Sequence, residues 1–366
     1  MSTLLDILKN SKLKLPLVYS NGGVDIIELL KETFDELSKE MSKEENYSII
    51  EKGYYDQINT YSVKIIATIS RWFEGNISEA KKTFDDTLKE SLLKLPQKEL
   101  PTKQCFYRVR TSNEHKILSR KDLFHIPFEL RNKISTQRFS IPGFPCLYLG
   151  NSVYICWEEL NRPNFHDIQV AKFENNSKIN LYNLSYEQYN LQKLVIQNLN
   201  DEEVIKLLLA YPIIAACSIQ VPQKRQFDPF KPEYLIPQIV LQTLMEQKDT
   251  GTIGIVYSST KIYKDNSKNE GAFENFVLPV TSKVRPDGYC SDLTKLFNMT
   301  SVVVGWPVDF VSSYNTTTNE CSFAVQGLDL DGVIVDYAST QFALLEKALG
   351  EKKPIPILRD FNGDSI

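Results

Sequence analysis

An abrupt change of hydrophobic period near residue 100 constrains this chain more than any other feature. From Val24 to about Leu95 apolar residues recur at steps of three and four. Ile26, Leu29, Leu30, Phe34 and Leu37 form one stripe, and Ile65, Ile66, Ile69 and Phe73 form another. Such stripes predict amphipathic helices, each with a face that must be buried. Gly75-Asn76 interrupts the pattern, and Ser78 followed by Glu79 opens a further helix through Phe84, Leu88 and Leu92. Leu95-Pro96 and Leu100-Pro101 are stop signals, since the residue before a proline is pushed out of helical geometry. Residues 96–103 therefore read as a linker.

Beyond Lys103 short runs rich in Val, Ile, Tyr and Phe take over, among them Cys105–Val109, Cys146–Leu149 and Ile253–Tyr257, with Pro/Gly turns between them. Helices are expected at Glu202–Ala216 and Tyr234–Gln247, and later strands at Ser301–Val304, Cys321–Val325 and Gly332–Tyr337. The expected fold is α+β: a helical domain over residues 1–100, a mixed-sheet domain over 103–282, and a C-terminal extension or accessory lobe over 283–366. That last segment closes on a polar run from Arg359 to Asp364.

The length of 366 residues suits two domains with substantial cores. Basic and acidic residues number 42 and 46, for a net charge of −4, so the chain lacks the basic excess of a general nucleic-acid binder. Three histidines, His115, His125 and His166, without CxxC or HExxH spacing, are too few for the usual closed zinc site, and no metal is expected. The six cysteines, Cys105, Cys146, Cys156, Cys217, Cys290 and Cys321, are scattered among apolar neighbours and read as reduced, mostly buried thiols. With neither a secretory signal nor an apolar run long enough to span a bilayer, a soluble, cytoplasmic protein is expected.

Three segments carry chemistry. In Phe106-Tyr107-Arg108-Val109-Arg110 an arginine stands between apolar residues on a strand, which suits a structural ion pair or a bidentate grip on a phosphate or carboxylate. Arg138 precedes the turn at Pro142-Gly143 and the short strand holding Tyr148; Ile155–Leu160 then reads as the first turns of a helix. Glu158 and Glu159 diverge there by about 100°. Glu158 suits a solvated helix start, and Glu159 is left open. The third segment, Tyr257-Ser258-Ser259-Thr260, ends a strand in hydroxyls, an ordinary turn-capping arrangement. Without a histidine nearby in sequence, it offers no positive support for a hydrolase triad.

The order of these segments, with Tyr234-Leu235-Ile236-Pro237-Gln238 and Asn275-Phe276-Val277-Leu278-Pro279, resembles the RES domain family, named for its Arg, Glu and Ser, over residues 103–282. The resemblance implies an ADP-ribosyltransferase-like fold that takes NAD as substrate and cleaves its nicotinamide–ribose bond. Relatives of this kind are NAD-depleting toxins, acting by hydrolysis or phosphorolysis and held in check by an antitoxin. The family residues fall on Arg108, Glu159 and Ser259, with Arg138, Tyr148 and Tyr257 as companion pocket residues. Glu158 and Ser258 are adjacent alternatives. By implication Arg108 and Arg138 grip the pyrophosphate, Tyr148 faces nicotinamide, Ser259 orients it, and Glu159 stabilises charge on the ribose. An antitoxin or other regulatory partner and self-association are expected, with the helical domain as the regulatory candidate.

Three rival readings remain. The same pocket could ADP-ribosylate a macromolecule. The chain could be an inactive interaction protein that keeps the fold. Arg120-Lys121-Asp122-Leu123-Phe124-His125 also fits the RxxxxH spacing of HEPN ribonucleases.

Overall fold

A computed structural model describes residues 2–19, 25–93, 95–112, 116–247, 251–262, 270–271, 273–280, 284–305, 323–330 and 333–357. His115, Cys321 and the polar run from Arg359 to Asp364 lie outside them, as does Gly332, which opens an expected strand. The helices in chain order are α1 (Ile26–Met41), α2 (Glu44–Tyr47), α3 (Lys52–Phe73), α4 (Ile77–Leu93), α5 (Val153–Glu159), α6 (Leu191–Gln197), α7 (Asp201–Cys217), α8 (Leu235–Met245), α9 (Ser291–Leu296) and α10 (Gln341–Gly350). The strands are β1 (Gln97–Leu100), β2 (Cys105–Thr111), β3 (Cys146–Gly150), β4 (Ile168–Asn175), β5 (Ile179–Asn183), β6 (Thr252–Ser258), β7 (Glu270–Gly271), β8 (Glu274–Pro279), β9 (Phe297–Met299), β10 (Val303–Val304), β11 (Val325–Leu330), β12 (Val333–Asp336) and β13 (Ile355–Pro356). The chain is thus α+β, with N-terminal helices and a large mixed sheet. Among the described residues no helix is long and apolar enough to cross a membrane.

The chain divides into two compact units, one of Met1–Pro96, Thr136–Ile141 and Leu184–Thr250, the other of Gln97–Ser135, Pro142–Asn183 and Gly251–Ile366. In the first, α1 opens on Asp25, whose carboxylate accepts from the amides of Ile27 (2.8 Å) and Glu28 (3.3 Å). The apolar stripes bury Ile26, Leu30, Phe34 and Leu37 on α1, and Ile65 and Ile69 on α3. Residues 184–250 also belong to this unit, which the change of period near residue 100 does not announce. Their main helix, α7, begins in a capping box formed by Asn200 and Glu203. It buries Val204, Leu208, Tyr211, Ile213 and Ile214, so its sides are apolar nearly all round and it packs on α3 and α8.

The second unit is built on a ten-stranded sheet in the order β1-β5-β6-β8-β3-β2-β4-β9-β13, with β10 also pairing β4. Its ladders are antiparallel except for β5–β6. The segment expected as a linker is corrected here: Gln97–Leu100 is edge strand β1, paired with β5. Prolines on either side stop a helix, but both are compatible with a short edge strand. One apolar cluster gathers Phe106, Leu147, Leu149, Phe173, Phe276 and Phe297. A second gathers Val109, Tyr154, Ile155, Val170, Phe342 and Leu345. The described parts of residues 283–366 extend this unit: β9 and β13 widen the main sheet, α10 packs on α5 and β4, and β11 and β12 form a small sheet with β7.

Candidate active site

The candidate centre is a carboxylate held by donors from two strands. Ser259 Oγ donates to Glu159 Oε1 at 2.6 Å, and Asn275 Nδ2 donates to the same oxygen at 2.8 Å. Ser259 follows the end of β6 and is fully buried, whereas the Glu159 side chain keeps 29 % of its surface exposed. Lys261 closes the far side. Its ammonium lies 3.7 Å from Glu159 Oε2 and donates to the Glu159 carbonyl (2.6 Å) and to Asn161 Oδ1 (2.7 Å).

Strand register explains this meeting. Tyr257 on β6 pairs with Asn275 on β8, Asn275 with Gly150 on β3, and Gly150 with Tyr107 on β2, so the four form one row on one face of the sheet. Tyr148, two residues before Gly150, faces the same way. Helix α5 lies over this row. Ser152 starts it, its hydroxyl accepting from the amide of Ile155 at 3.2 Å. At the other end Asn161 and Arg162 have φ of 64° and 56°, a left-handed turn that reverses the chain after Glu159.

Gly150 lets the helix approach. A Cβ there would overlap Ile155 Cγ2 and lie 2.7 Å from Cys156 Sγ, both on α5. We expect Gly150→Ala to lift α5, costing about 1–3 kcal/mol of stability and lowering any activity that depends on Glu159 by about tenfold or more. Denaturation midpoints and turnover of the purified variant check both effects.

The two adjacent glutamates are distinct. Glu158 was expected at a solvated helix start, but α5 ends at Glu159 and the Glu158 side chain is buried, 2.8 Å from Arg162 Nε. The helix starts at Val153, two residues earlier than the sequence suggested, so Glu158 lies in its last turn, directed inward, and not at its start. Glu159, one residue on, is the carboxylate joined to Ser259. Ser258 is buried and stands opposite Glu274 in the β6–β8 ladder.

Arg108 lies beside the single register pair joining β2 to β3. Alternation from Tyr107 turns it to the opposite face from Tyr148, so its Nη1 meets the Tyr148 carbonyl, at 2.9 Å, and not the ring. Its buried Nε has no hydrogen-bond partner among the described residues. Burial, reinforced by the positive charge of Arg110, pushes the guanidinium down to about 10, so it remains charged at neutral pH. The Tyr148 phenol is raised well above its usual value by burial, and Tyr257 is 9 % exposed.

Arg138 falls in the first unit. Its guanidinium is buried, donating to the carbonyls of Cys217 (3.1 Å) and Ile219 (2.9 Å) and lying 5.0 Å from the centre of the Tyr234 ring. Arg138 thus braces its own unit. His125 of the RxxxxH pattern is 1 % exposed; its Nε2 accepts from the Cys290 amide at 2.9 Å, which leaves Nδ1 to donate to the Ile126 carbonyl at 2.9 Å. Burial pushes this imidazole down to about 4. Both nitrogens are occupied by backbone, an ordinary structural role.

Sequence reasoning did not single out Asn275 or Lys261. Asn275 stood in view as the polar residue that opens the quoted Asn275–Pro279 segment, the second residue of β8. Lys261 offered no local signal.

The chain matches no family model and no solved structure. It is 33 % identical over 299 residues to a Bacillus subtilis (strain 168) protein named "Putative toxin YopC". The match takes in 77 % of this chain and 66 % of that protein, so the chain spans a little under two thirds of its relative's length.

Proposed function

We propose that the protein is a toxin-like enzyme that cleaves the nicotinamide–ribose bond of NAD. The observation that carries this reading is the partly exposed Glu159 carboxylate, one oxygen of which is held by both Ser259 and Asn275. The RES-like order of Arg108, Glu159 and Ser259 supports it, as does the relative named as a toxin.

In the proposed reaction the bond from the ribose anomeric carbon to the pyridinium nitrogen breaks with its electron pair going to nitrogen, and nicotinamide leaves neutral. Positive charge then develops on the ribose, as in the oxocarbenium-like transition state of glycoside cleavage. Glu159, held by its two donors, stabilises that charge without having to reorient. Water attacks the anomeric carbon and loses a proton to solvent, giving ADP-ribose; phosphate in place of water gives the 1-phosphate. Tyr148 and Tyr257 line the same face as Asn275 and offer aromatic surface to nicotinamide. Arg108 turns to the opposite face of the sheet and is assigned a positioning role, its Nη1 holding the Tyr148 carbonyl of β3 from beneath the site.

The test is incubation of the purified chain with labelled NAD, with and without phosphate and with cell lysate. Release of nicotinamide with free ADP-ribose or its phosphate is expected. Label retained on a macromolecule would move the reading to transfer, and intact NAD in every arm would overturn it.

A further inference from the structure

Residues 333–350 contribute no group to the carboxylate cluster, yet they hold the helix that carries it. Glu346 on α10 is 3 % exposed, and its Oε1 accepts two hydrogen bonds, from the Val153 amide at 2.7 Å and from the Tyr337 hydroxyl at 2.6 Å. Val153 is the first residue of α5, where a backbone N–H has no partner within the helix. Phe342, one turn before Glu346 on the same face of α10, stands 5.2 Å from the ring centres of both Tyr154 and Trp157 on α5.

The geometry points to Glu346 as a positioning residue that fixes the start of α5 and thereby places Glu159 at its other end. A seven-residue helix is about 10 Å long and behaves as a rigid rod at that length, so a shift at Val153 is passed on to Glu159. Two features set Glu346 apart from ordinary core packing. A buried carboxylate is costly unless its bonds serve a purpose, and burial pushes this one up to about 7 although Tyr337 and Val153 both donate to it. Its bond to Val153 also joins a late segment of the chain to the site helix, 193 residues apart. The assignment of an effect on catalysis rests on the role proposed above for Glu159; the bracing of α5 does not.

The test compares Glu346→Ala with Glu346→Gln, which keeps an oxygen able to accept both bonds, and reads amide hydrogen exchange alongside NAD turnover. Glu346→Ala is expected to speed exchange across α5 by about tenfold or more while β4 and β8 stay protected. Its kcat should fall about 10- to 100-fold with KM within about threefold of wild type, and Glu346→Gln should recover kcat to within about threefold. Unchanged α5 exchange in the alanine variant, or a glutamine variant as impaired as alanine, would overturn the inference. Should the alanine variant not fold, Tyr337→Phe replaces it; faster α5 exchange supports the brace and unchanged exchange refutes it. A wild-type chain without NAD turnover would reject the proposed activity, and the exchange comparison would still decide the brace.

Discussion

Glu159→Gln is expected to lower NAD cleavage by about 10³-fold or more while leaving the fold intact. Losing the carboxylate charge next to a developing cation in a partly dry site costs about 4 kcal/mol of transition-state stabilisation, and each 1.36 kcal/mol is a factor of ten in rate. The structural cost is small because the substitution is isosteric. The glutamine carbonyl oxygen can still accept from Ser259 Oγ and Asn275 Nδ2, which now donate at 2.6 and 2.8 Å. Stability should stay within about 0.5 kcal/mol of wild type. Single-turnover assays with nicotinamide quantification, paired with thermal unfolding, separate the two effects. A folded variant with wild-type turnover would remove Glu159 from the chemistry.

Arg108→Met should move stability and activity in opposite directions. The guanidinium donates to the Tyr148 carbonyl at 2.9 Å, while its buried Nε has no hydrogen-bond partner among the described residues. Burial disfavours its charged form, pushing it down to about 10, below the ordinary guanidinium range. Replacing a partly buried charge with one unsatisfied nitrogen by an apolar side chain of similar length is expected to stabilise the protein by about 1 kcal/mol. NAD cleavage should fall by about tenfold, because β3 and the Tyr148 it carries lose the guanidinium that holds the Tyr148 carbonyl. An arginine whose bond to Tyr148 outweighs its burial would give the reverse sign in stability. Unfolding midpoints of variant and wild type, measured without NAD, therefore test the role of Arg108 independently of turnover.

Much of the candidate site was legible as residue types but not as an arrangement. Tyr148, Glu159, Ser259 and Asn275 all stand in short motifs that can be quoted from the sequence. Which glutamate and which serine of each adjacent pair meet was not legible, because neighbours on a helix or at a strand end point in different directions and only the exact start of α5 and end of β6 decide between them. Lys261 was invisible because its bonds to the Glu159 carbonyl and to Asn161 close over about 100 residues of chain. Arg138 illustrates the opposite case: it carries a functional signature in sequence, but its guanidinium is bound to two carbonyls of the helical unit.

The sequence by itself determined the α+β class, the main helices of the first hundred residues and the positions of strands β2, β3, β6 and β12, since periods of 3.6 and 2 are local properties. Tertiary structure alone decided that residues 184–250 join the helical unit, because an all-apolar helix such as α7 must be buried but does not name the core that buries it. It also decided the meeting of Glu159 with Ser259 and Asn275, 100 and 116 residues away. That meeting depends on strand register, on the absence of a Cβ at Gly150 and on the Glu346 brace. These are long-range contacts, and no local pattern of residues encodes them.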